Sequence, residues 1–222
     1  MTPGGTADAP PIVVDHDDRW IQLELTGDLP AWARQTAADI KARARAAGQA
    51  RTVNEQRVAA LLTGAGQLAR RPGDAAMALL LYPTPADGMV ALVRFCRVDL
   101  AGREGEEAWS GLVCWLTPAG DAGPPEITEL ATGAGPCRRI RRRFTAGAGG
   151  EGPAGEHLGY AWTVPGYGIG MVAVTSFTDL AAADRWRPAV DELASAVALG
   201  PATEHAPGEA GPAHVSDELA GP

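Results

Sequence analysis

The sequence predicts an α+β protein whose helices pack on a largely antiparallel sheet. Several short segments alternate apolar and polar residues or are continuously apolar, which is typical of strands. Most of the strands follow one another across short turns, which favours antiparallel pairing. Other segments repeat apolar residues every three or four positions, which indicates amphipathic helices. The regular alternation of strand and helix that marks doubly wound folds is missing.

The length and the charge pattern predict one domain with an acidic segment at each end. The 222 residues suffice for a single domain with a sizeable core. The formal net charge is −8, and all of it lies in residues 1–18 and 200–222, which contain acidic residues and no Lys or Arg. We therefore expect a flexible acidic N-terminal tail over 1–18, a single α+β domain over 19–199, and a disordered acidic C-terminal tail over 200–222.

The first half of the chain predicts a strand followed by two helices. Trp20–Leu25 alternates as a strand does, and Ile12–Val14 is a candidate short strand before it. Asp28 is placed to cap the first helix, Gly48 ends it, and Asn54 is placed to cap the second. The residues predicted to face inward are Trp32, Thr36, Ala37, Ile40 and Ala44 in the first helix and Val58, Leu61, Leu62 and Leu68 in the second.

The middle of the chain predicts a hairpin and then an ambiguous segment. Residues 77–82 and 89–100 are apolar runs separated by a Pro- and Gly-rich connection, as in a hairpin. Residues 104–117 fit both helical and strand spacing. Their acidic opening at Glu104, Glu106 and Glu107 favours a helix, because negative charge stabilises a helix N-terminus.

The second half predicts four strands and a last helix. The strands lie at 126–130, 136–145, 158–164 and 169–177, with a glycine-rich loop over 146–156. Thr178 or Asp179 caps the helix that follows, and Pro188 is expected to kink that helix or to start a second piece.

The second half also carries a resemblance to a known group of proteins. A basic strand over Gly135–Phe144 precedes a hairpin that contains Tyr160–Val164 and Met171–Thr178, and a helix follows with an acidic cap. This pattern resembles a family of uncharacterised actinobacterial proteins with a PsbP-like α/β/α sandwich fold. The resemblance covers roughly residues 19–199 and implies a binding or assembly role. It carries over no functional residue, because function transfers poorly across such a fold.

The densest charge cluster of the chain is Arg138–Arg143. In an extended strand, Arg139, Arg141 and Arg143 share one face with Cys137. These three arginines are the candidate site for an anion or for a protein partner. Two alternatives stay open: the arginines form surface ion pairs with neighbours such as Glu126 and Glu129, or an acidic tail folds back on them.

The six tryptophans fall into two groups. Trp109 and Trp186 lie near helix starts or kinks and are candidate exposed anchors for a protein partner. The four tryptophans at apolar positions are expected to pack in the core. They are Trp20, Trp32, Trp115 and Trp162.

The sequence predicts no catalytic, cofactor or metal site. His157 is expected at an exposed loop edge, and the other histidines lie in the tails. The three cysteines have no CxxC spacing and are expected to be reduced and buried. The neutral body argues against nucleic acid as a partner. No signal-peptide pattern and no membrane span are visible, so a cytoplasmic location is expected.

The expected function is a non-enzymatic interaction or assembly role, with another protein as the partner. The alternative is a domain that binds a small molecule, in particular an anionic ligand. An enzyme is the least favoured class, because acid–base or covalent chemistry needs paired groups that the sequence does not supply.

Overall fold

The structure is a computed structural model, and it describes most of the chain. The described residues are 11–49, 53–70, 75–82, 84, 88–100, 102–117, 124–145, 152, 154–164 and 166–200. The strands are β1 (Ile12–Val14), β2 (Trp20–Gln22), β3 (Ala75–Leu81), β4 (Ala91–Asp99), β5 (Glu126–Thr132), β6 (Gly135–Thr145), β7 (Ala154–Val164), β8 (Ile169–Phe177) and β9 (Val197–Leu199). The helices are α1 (Leu29–Ala46), α2 (Glu55–Ala69), α3 (Gly105–Leu116) and α4 (Leu180–Ser195).

The main sheet has seven strands in the order β2-β3-β4-β8-β7-β6-β5, and every neighbouring pair is antiparallel. The predicted α+β class with helices packed on an antiparallel sheet is thereby confirmed. The helical form of the ambiguous segment is also confirmed, because α3 covers Gly105–Leu116. No helix in the described part of the chain is long and apolar enough to cross a membrane.

Helix α4 covers one face of the main sheet. Its buried residues, among them Val190 and Leu193, pack against large side chains from the middle of the sheet, including Phe95, Tyr160 and Trp162. Burial of an aromatic or large aliphatic side chain contributes about 1.5–3 kcal/mol. The apolar cluster on this face is the largest among the described residues.

The opposite face is covered at two ends by separate helices. Helices α1 and α2 pack over β2 and β3 through residues such as Ile40 and Leu62. Helix α3 packs over β8, β7 and β6, where Leu112 lies among Val172, Ala161 and Ile140. No described residue covers the sheet between these two helical layers, and this opening positions the candidate site.

Local capping fixes where the helices begin. The carboxylate of Asp28 accepts a hydrogen bond from the Ala31 amide, and the side chain of Asn54 does the same for Arg57. Asp179 caps α4, so that the open choice between Thr178 and Asp179 is resolved. These contacts satisfy amides that the first helical turn leaves unpaired. Helix α4 continues through Pro188 as one element, so the predicted second piece does not form.

Two segment boundaries differ from those that the sequence predicted. The candidate strand Ile12–Val14 is confirmed as β1, which pairs with β9 and buries Val14, so these residues of the predicted tail belong to a strand. The predicted loop over 146–156 ends earlier, because β7 begins at Ala154 and includes Glu156. A strand that begins in a glycine-rich segment carries too little pattern there to be recognised without its partners. Residues 1–10 and 201–222, which make up most of both predicted tails, lie outside the described residues.

Some side chains that were predicted to be buried are exposed. Leu61, Leu68 and Trp115 are 45%, 46% and 41% exposed, although their spacing matches an inward stripe. Cys96 and Cys137 are buried as predicted, but Cys114 is exposed. Each of these helices packs against the rest of the protein on one face only. Where the apolar stripe of a helix is wider than the buried face, the apolar residues at the edge of the stripe are exposed to solvent.

Glycines allow α3 to approach the sheet closely. A Cβ atom on Gly170 would lie 2.5 Å from Cδ2 of Leu112, and one on Gly159 would lie 2.8 Å from Cδ2 of Leu116. Both distances are shorter than carbon contacts permit. Larger residues at these two strand positions would therefore push the helix away from the sheet.

Gly170→Val is expected to lower the free energy of unfolding by about 1–3 kcal/mol, the usual effect of overpacking a core. Gly64→Ala is the matched control, because a Cβ at Gly64 meets nothing within 4 Å. In a helix this control should raise stability by roughly 0.5–1 kcal/mol. Urea unfolding measures both variants. A Gly170→Val protein as stable as the wild type would contradict this packing.

Candidate functional site

Strand β6 divides the arginine cluster between the two faces of the main sheet. Arg139 and Arg141 lie on the α4 face with Cys137, as the alternation predicts. Arg138 and Arg142 lie on the opposite face, where Arg138 contacts α3 and Arg142 lines the open part of the sheet. The two faces place these arginines in different chemical surroundings.

Arg139 is paired with a carboxylate of α4. Its Nη1 lies 2.9 Å from Oδ2 of Asp191, and the hydroxyl of Tyr160 donates to Oδ1 of the same carboxylate at 2.7 Å. Burial and the nearby Asp191 raise the pKa of Tyr160 well above its ordinary value, so this hydroxyl keeps its proton. The contact fastens α4 to β6 and β7.

Arg141 is paired with a fully buried carboxylate. Its Nε lies 2.6 Å from Oε2 of Glu156, and Nε of Arg187 lies 2.9 Å from Oε1. Glu156 is 0% exposed. Burial alone would raise the pKa of this carboxyl, but Arg187 and Arg141 outweigh it and hold the pKa below its ordinary value. Glu156 is therefore an ionised carboxylate clamped between two guanidinium groups.

The remaining contacts on β6 match the ion-pair alternative. Arg141 also reaches Glu126 at 3.2 Å, and Arg138 reaches Glu129 at 3.6 Å. Arg143 is exposed at the end of the strand. The row formed by Arg139, Arg141 and Arg143 thus has two members engaged by carboxylates of the protein itself, which would compete with any external anion.

The two candidate aromatic anchors are half-buried and covered by arginines. The guanidinium of Arg138 lies 4.7 Å from the ring centroid of Trp109 and makes a bidentate pair with Glu106 at 2.9 Å. Arg185 lies 4.6 Å from the ring centroid of Trp186. Each ring therefore has one face occupied by a cation. The most exposed tryptophan of the described residues is instead Trp115.

The open face of the sheet forms the floor of a groove, which we call the α2–α3 groove. One row of its floor runs across four strands through Arg94, Val174, Gly159 and Ile140. The next row runs through Ser176, His157 and Arg142. Gly159 has no side chain, and Leu116 of α3 packs over it.

Two helices form the walls of the α2–α3 groove. Leu68 of α2 lies on one side, and Trp115 and Leu116 of α3 lie on the other. The concavity has a volume of about 620 Å³, which is within the usual range for small-ligand sites. The exposed leucine and tryptophan at its rim are the same residues that the sequence predicted to be buried.

The groove is cationic as well as apolar. Arg94 and Arg142 line it, and no described residue that lines it is acidic. The side chain of Arg94 makes no hydrogen bond or ion pair with another residue in the described part of the chain. The two arginines stand on strands that are three spacings apart, roughly 14 Å at the backbone. They therefore lie on opposite sides of the groove floor.

His157 supplies a neutral polar group beside Arg142. Its Nδ1 shares a hydrogen bond of 2.7 Å with Oγ of Ser176, and its ring stacks on Phe144 with centroids 4.2 Å apart. Burial and the charge of Arg142 lower the pKa of His157, so the ring is neutral at pH 7. A serine–histidine pair becomes a nucleophilic pair when a third group orients the imidazole. Here Phe144 stacks on the ring, and no described residue hydrogen-bonds to Nε2 to orient it as such a third group would.

The sequence predicted neither Arg94 nor the His157–Ser176 pair as part of a site. A weak signal existed, since Arg94 is a charged residue in the middle of the apolar run of β4. Within the described ranges, no group of three or more His, Cys, Asp or Glu side chains is arranged to hold a metal ion.

Two comparisons of the sequence with known proteins find no match. No family model matches the chain, and no curated protein matches it. The resemblance to PsbP-like proteins therefore stays a prediction, and the groove itself must carry the functional proposal.

Glu156→Gln is expected to lower the free energy of unfolding by about 3 kcal/mol, because it leaves two guanidinium groups around a neutral amide. The matched control is Glu129→Gln. The carboxylate of Glu129 is 79% exposed, so this substitution should change the free energy of unfolding by less than about 0.5 kcal/mol. Chemical unfolding at pH 7 measures both. Equal stability of the two variants would show that the ion pairs of Glu156 with Arg141 and Arg187 do not stabilise the fold.

The effect of Glu156 should also depend on pH. A carboxyl whose pKa is depressed in the folded state stabilises the fold above its unfolded pKa, near 4.5. That stabilisation is lost as the pH falls through the lower pKa of the folded state. The stability difference between wild type and Glu156→Gln should shrink steadily below pH 4.5, as unfolding curves at several pH values would show. A constant difference would show that Glu156 is not ionised in the fold.

Proposed function

We propose that this protein is a non-enzymatic binding protein and that its α2–α3 groove takes an anionic ligand with an apolar part. The observation that carries the proposal is that Arg94 and Arg142 line a largely apolar concavity that no described acidic side chain lines. Arginine binds carboxylate and phosphate groups through two parallel hydrogen bonds. The leucines and the tryptophan of the walls would cover the apolar part of the same ligand.

The distribution of charge favours the α2–α3 groove as the anion-binding site over the row formed by Arg139, Arg141 and Arg143. An anion that binds Arg139 or Arg141 has to displace Asp191 or the buried Glu156. Breaking such a pair costs about 3–5 kcal/mol. Arg94 has no such internal partner among the described residues. The anionic-ligand hypothesis that began with the row is therefore transferred to the other face of the sheet.

The double variant Arg94→Ala/Arg142→Ala is expected to weaken the binding of octanoate and octyl phosphate at least about a hundredfold, because it removes two charged partners. Loss of a charged hydrogen-bond partner costs about 1.5–3 kcal/mol, and about 1.4 kcal/mol corresponds to a tenfold change in Kd. Isothermal titration calorimetry measures the affinities. Octyltrimethylammonium, which has the same chain and a cationic head, should not bind.

Two controls make this experiment decisive. Arg143→Ala removes an exposed arginine from the same strand as Arg142 but from its opposite face, and it should leave the affinities unchanged. Loss of binding in Arg139→Ala, with full binding in Arg94→Ala/Arg142→Ala, would move the site to the α4 face. Absence of binding of either anionic amphiphile to the wild type would overturn the proposal.

A second candidate is the interaction or assembly role that the sequence predicted. The observation that favours it is the exposure of Leu61, Leu68 and Trp115, at 45%, 46% and 41%, along neighbouring helices. Large apolar side chains that cluster on a surface often mark a protein interface. An acidic segment of a partner protein would match both the arginines and these apolar residues.

Leu61→Ser/Leu68→Ser is expected to abolish the capture of such a partner. The measurement is a native pull-down in which mass spectrometry quantifies the co-purified proteins at stoichiometric level. The matched control is Ile127→Ser, since Ile127 is 47% exposed on β5. Equal recovery of the same partner with both variants would place the interface elsewhere, and absence of a stoichiometric partner would count against this role.

A further inference from the structure

A second concavity continues the α2–α3 groove beyond Leu92. It has a volume of about 570 Å³, and it shares Leu68, Leu92 and Ser176 with the first one. Its other lining residues are mostly small or apolar. They include Leu61, Gly64 and Met89.

The two concavities differ in charge. Arg94, Arg142 and His157 line only the first, and no charged side chain of the described residues lines the second. A ligand that fills both would therefore need a charged group at one end and an uncharged apolar group at the other. The second row of the floor leads from Arg142 over His157 and Ser176 toward Leu92, where the second concavity begins.

From this arrangement we propose that the ligand is a single-chain amphiphile with an anionic head. Its carboxylate or phosphate binds at Arg142, beside the His157–Ser176 pair. Its alkyl chain crosses the sheet above Ser176 and Leu92 and ends against Leu61 and Gly64 of α2. This inference rests on the proposed anion-binding function and adds the length and the orientation of the ligand.

The dimensions of the site agree with a long chain. The path from β6 to β4 spans three strand spacings, roughly 14 Å, and the second concavity lies beyond that distance. A short amphiphile bound at Arg142 would end before the second concavity. Each further buried methylene contributes about 0.8 kcal/mol, so the affinity should rise with chain length until the second concavity is full.

Gly64→Leu is the variant that tests this inference. A Cβ at Gly64 meets nothing within 4 Å, and Gly64 lines only the second concavity. The new side chain fills the space that the end of the chain would occupy, and leucine suits a helix better than glycine does. Leu61→Glu is a second variant at an exposed position of the same wall, and it places a negative charge there.

The experiment is calorimetry of the full chain with octanoate, hexadecanoate and hexadecyl phosphate below their micelle concentrations. Wild type should bind hexadecanoate at least tenfold more tightly than octanoate. Both variants should lose this advantage while their affinity for octanoate stays within twofold of wild type. Preference for hexadecanoate or for hexadecyl phosphate distinguishes a carboxylate head from a phosphate head.

Two outcomes separate this inference from the function on which it rests. Octanoate binding that depends on Arg142, together with equal hexadecanoate affinity in wild type and both variants, would overturn the long-chain inference alone. Failure of all three anionic probes to bind the wild type would overturn both. Urea unfolding of each variant verifies that the fold is intact.

Discussion

Glu156 is a fully buried carboxylate, and its charge can stay there only with Arg141 and Arg187 on either side. The clamp joins β7, β6 and α4 into one unit. Asp191 extends this arrangement by binding Arg139 and Tyr160. On the α4 face, Arg139, Arg141 and Arg187 are therefore paired with carboxylates of the protein itself.

This constraint determines which face of the main sheet is free for a ligand. Strand β6 must place alternate side chains on opposite faces, so the arginines that hold α4 cannot also serve the other side. On that side α3 approaches closely over Gly170 and Gly159, while α2 packs over the far end of the sheet. No described residue covers the floor between the two helices, and Arg94 and Arg142 line it.

Much of the fold could be predicted from the sequence, because its signals are local. Asp28 and Asn54 cap helices through contacts within four residues, and alternation on β6 sorts its arginines correctly. The groove could not be predicted in this way. The spacing of Leu68 and Trp115 predicts that they are buried. They are exposed at the rim of the groove because of how α2 and α3 are arranged on the sheet. Likewise, the burial of Glu156 depends on α4, which is distant in sequence. The groove therefore depends on how distant helices and strands are arranged, which local sequence patterns do not specify.

The most direct test of this account is nuclear magnetic resonance of the full chain during titration with octyl phosphate. The positions of the signal changes report where the anion binds. We predict that the Nε–H signals of Arg94 and Arg142 and the amide of Ser176 shift, while those of Arg139 and Arg141 stay in place. Largest shifts at Arg139 and Arg141, with Arg94 and Arg142 unmoved, would contradict the account.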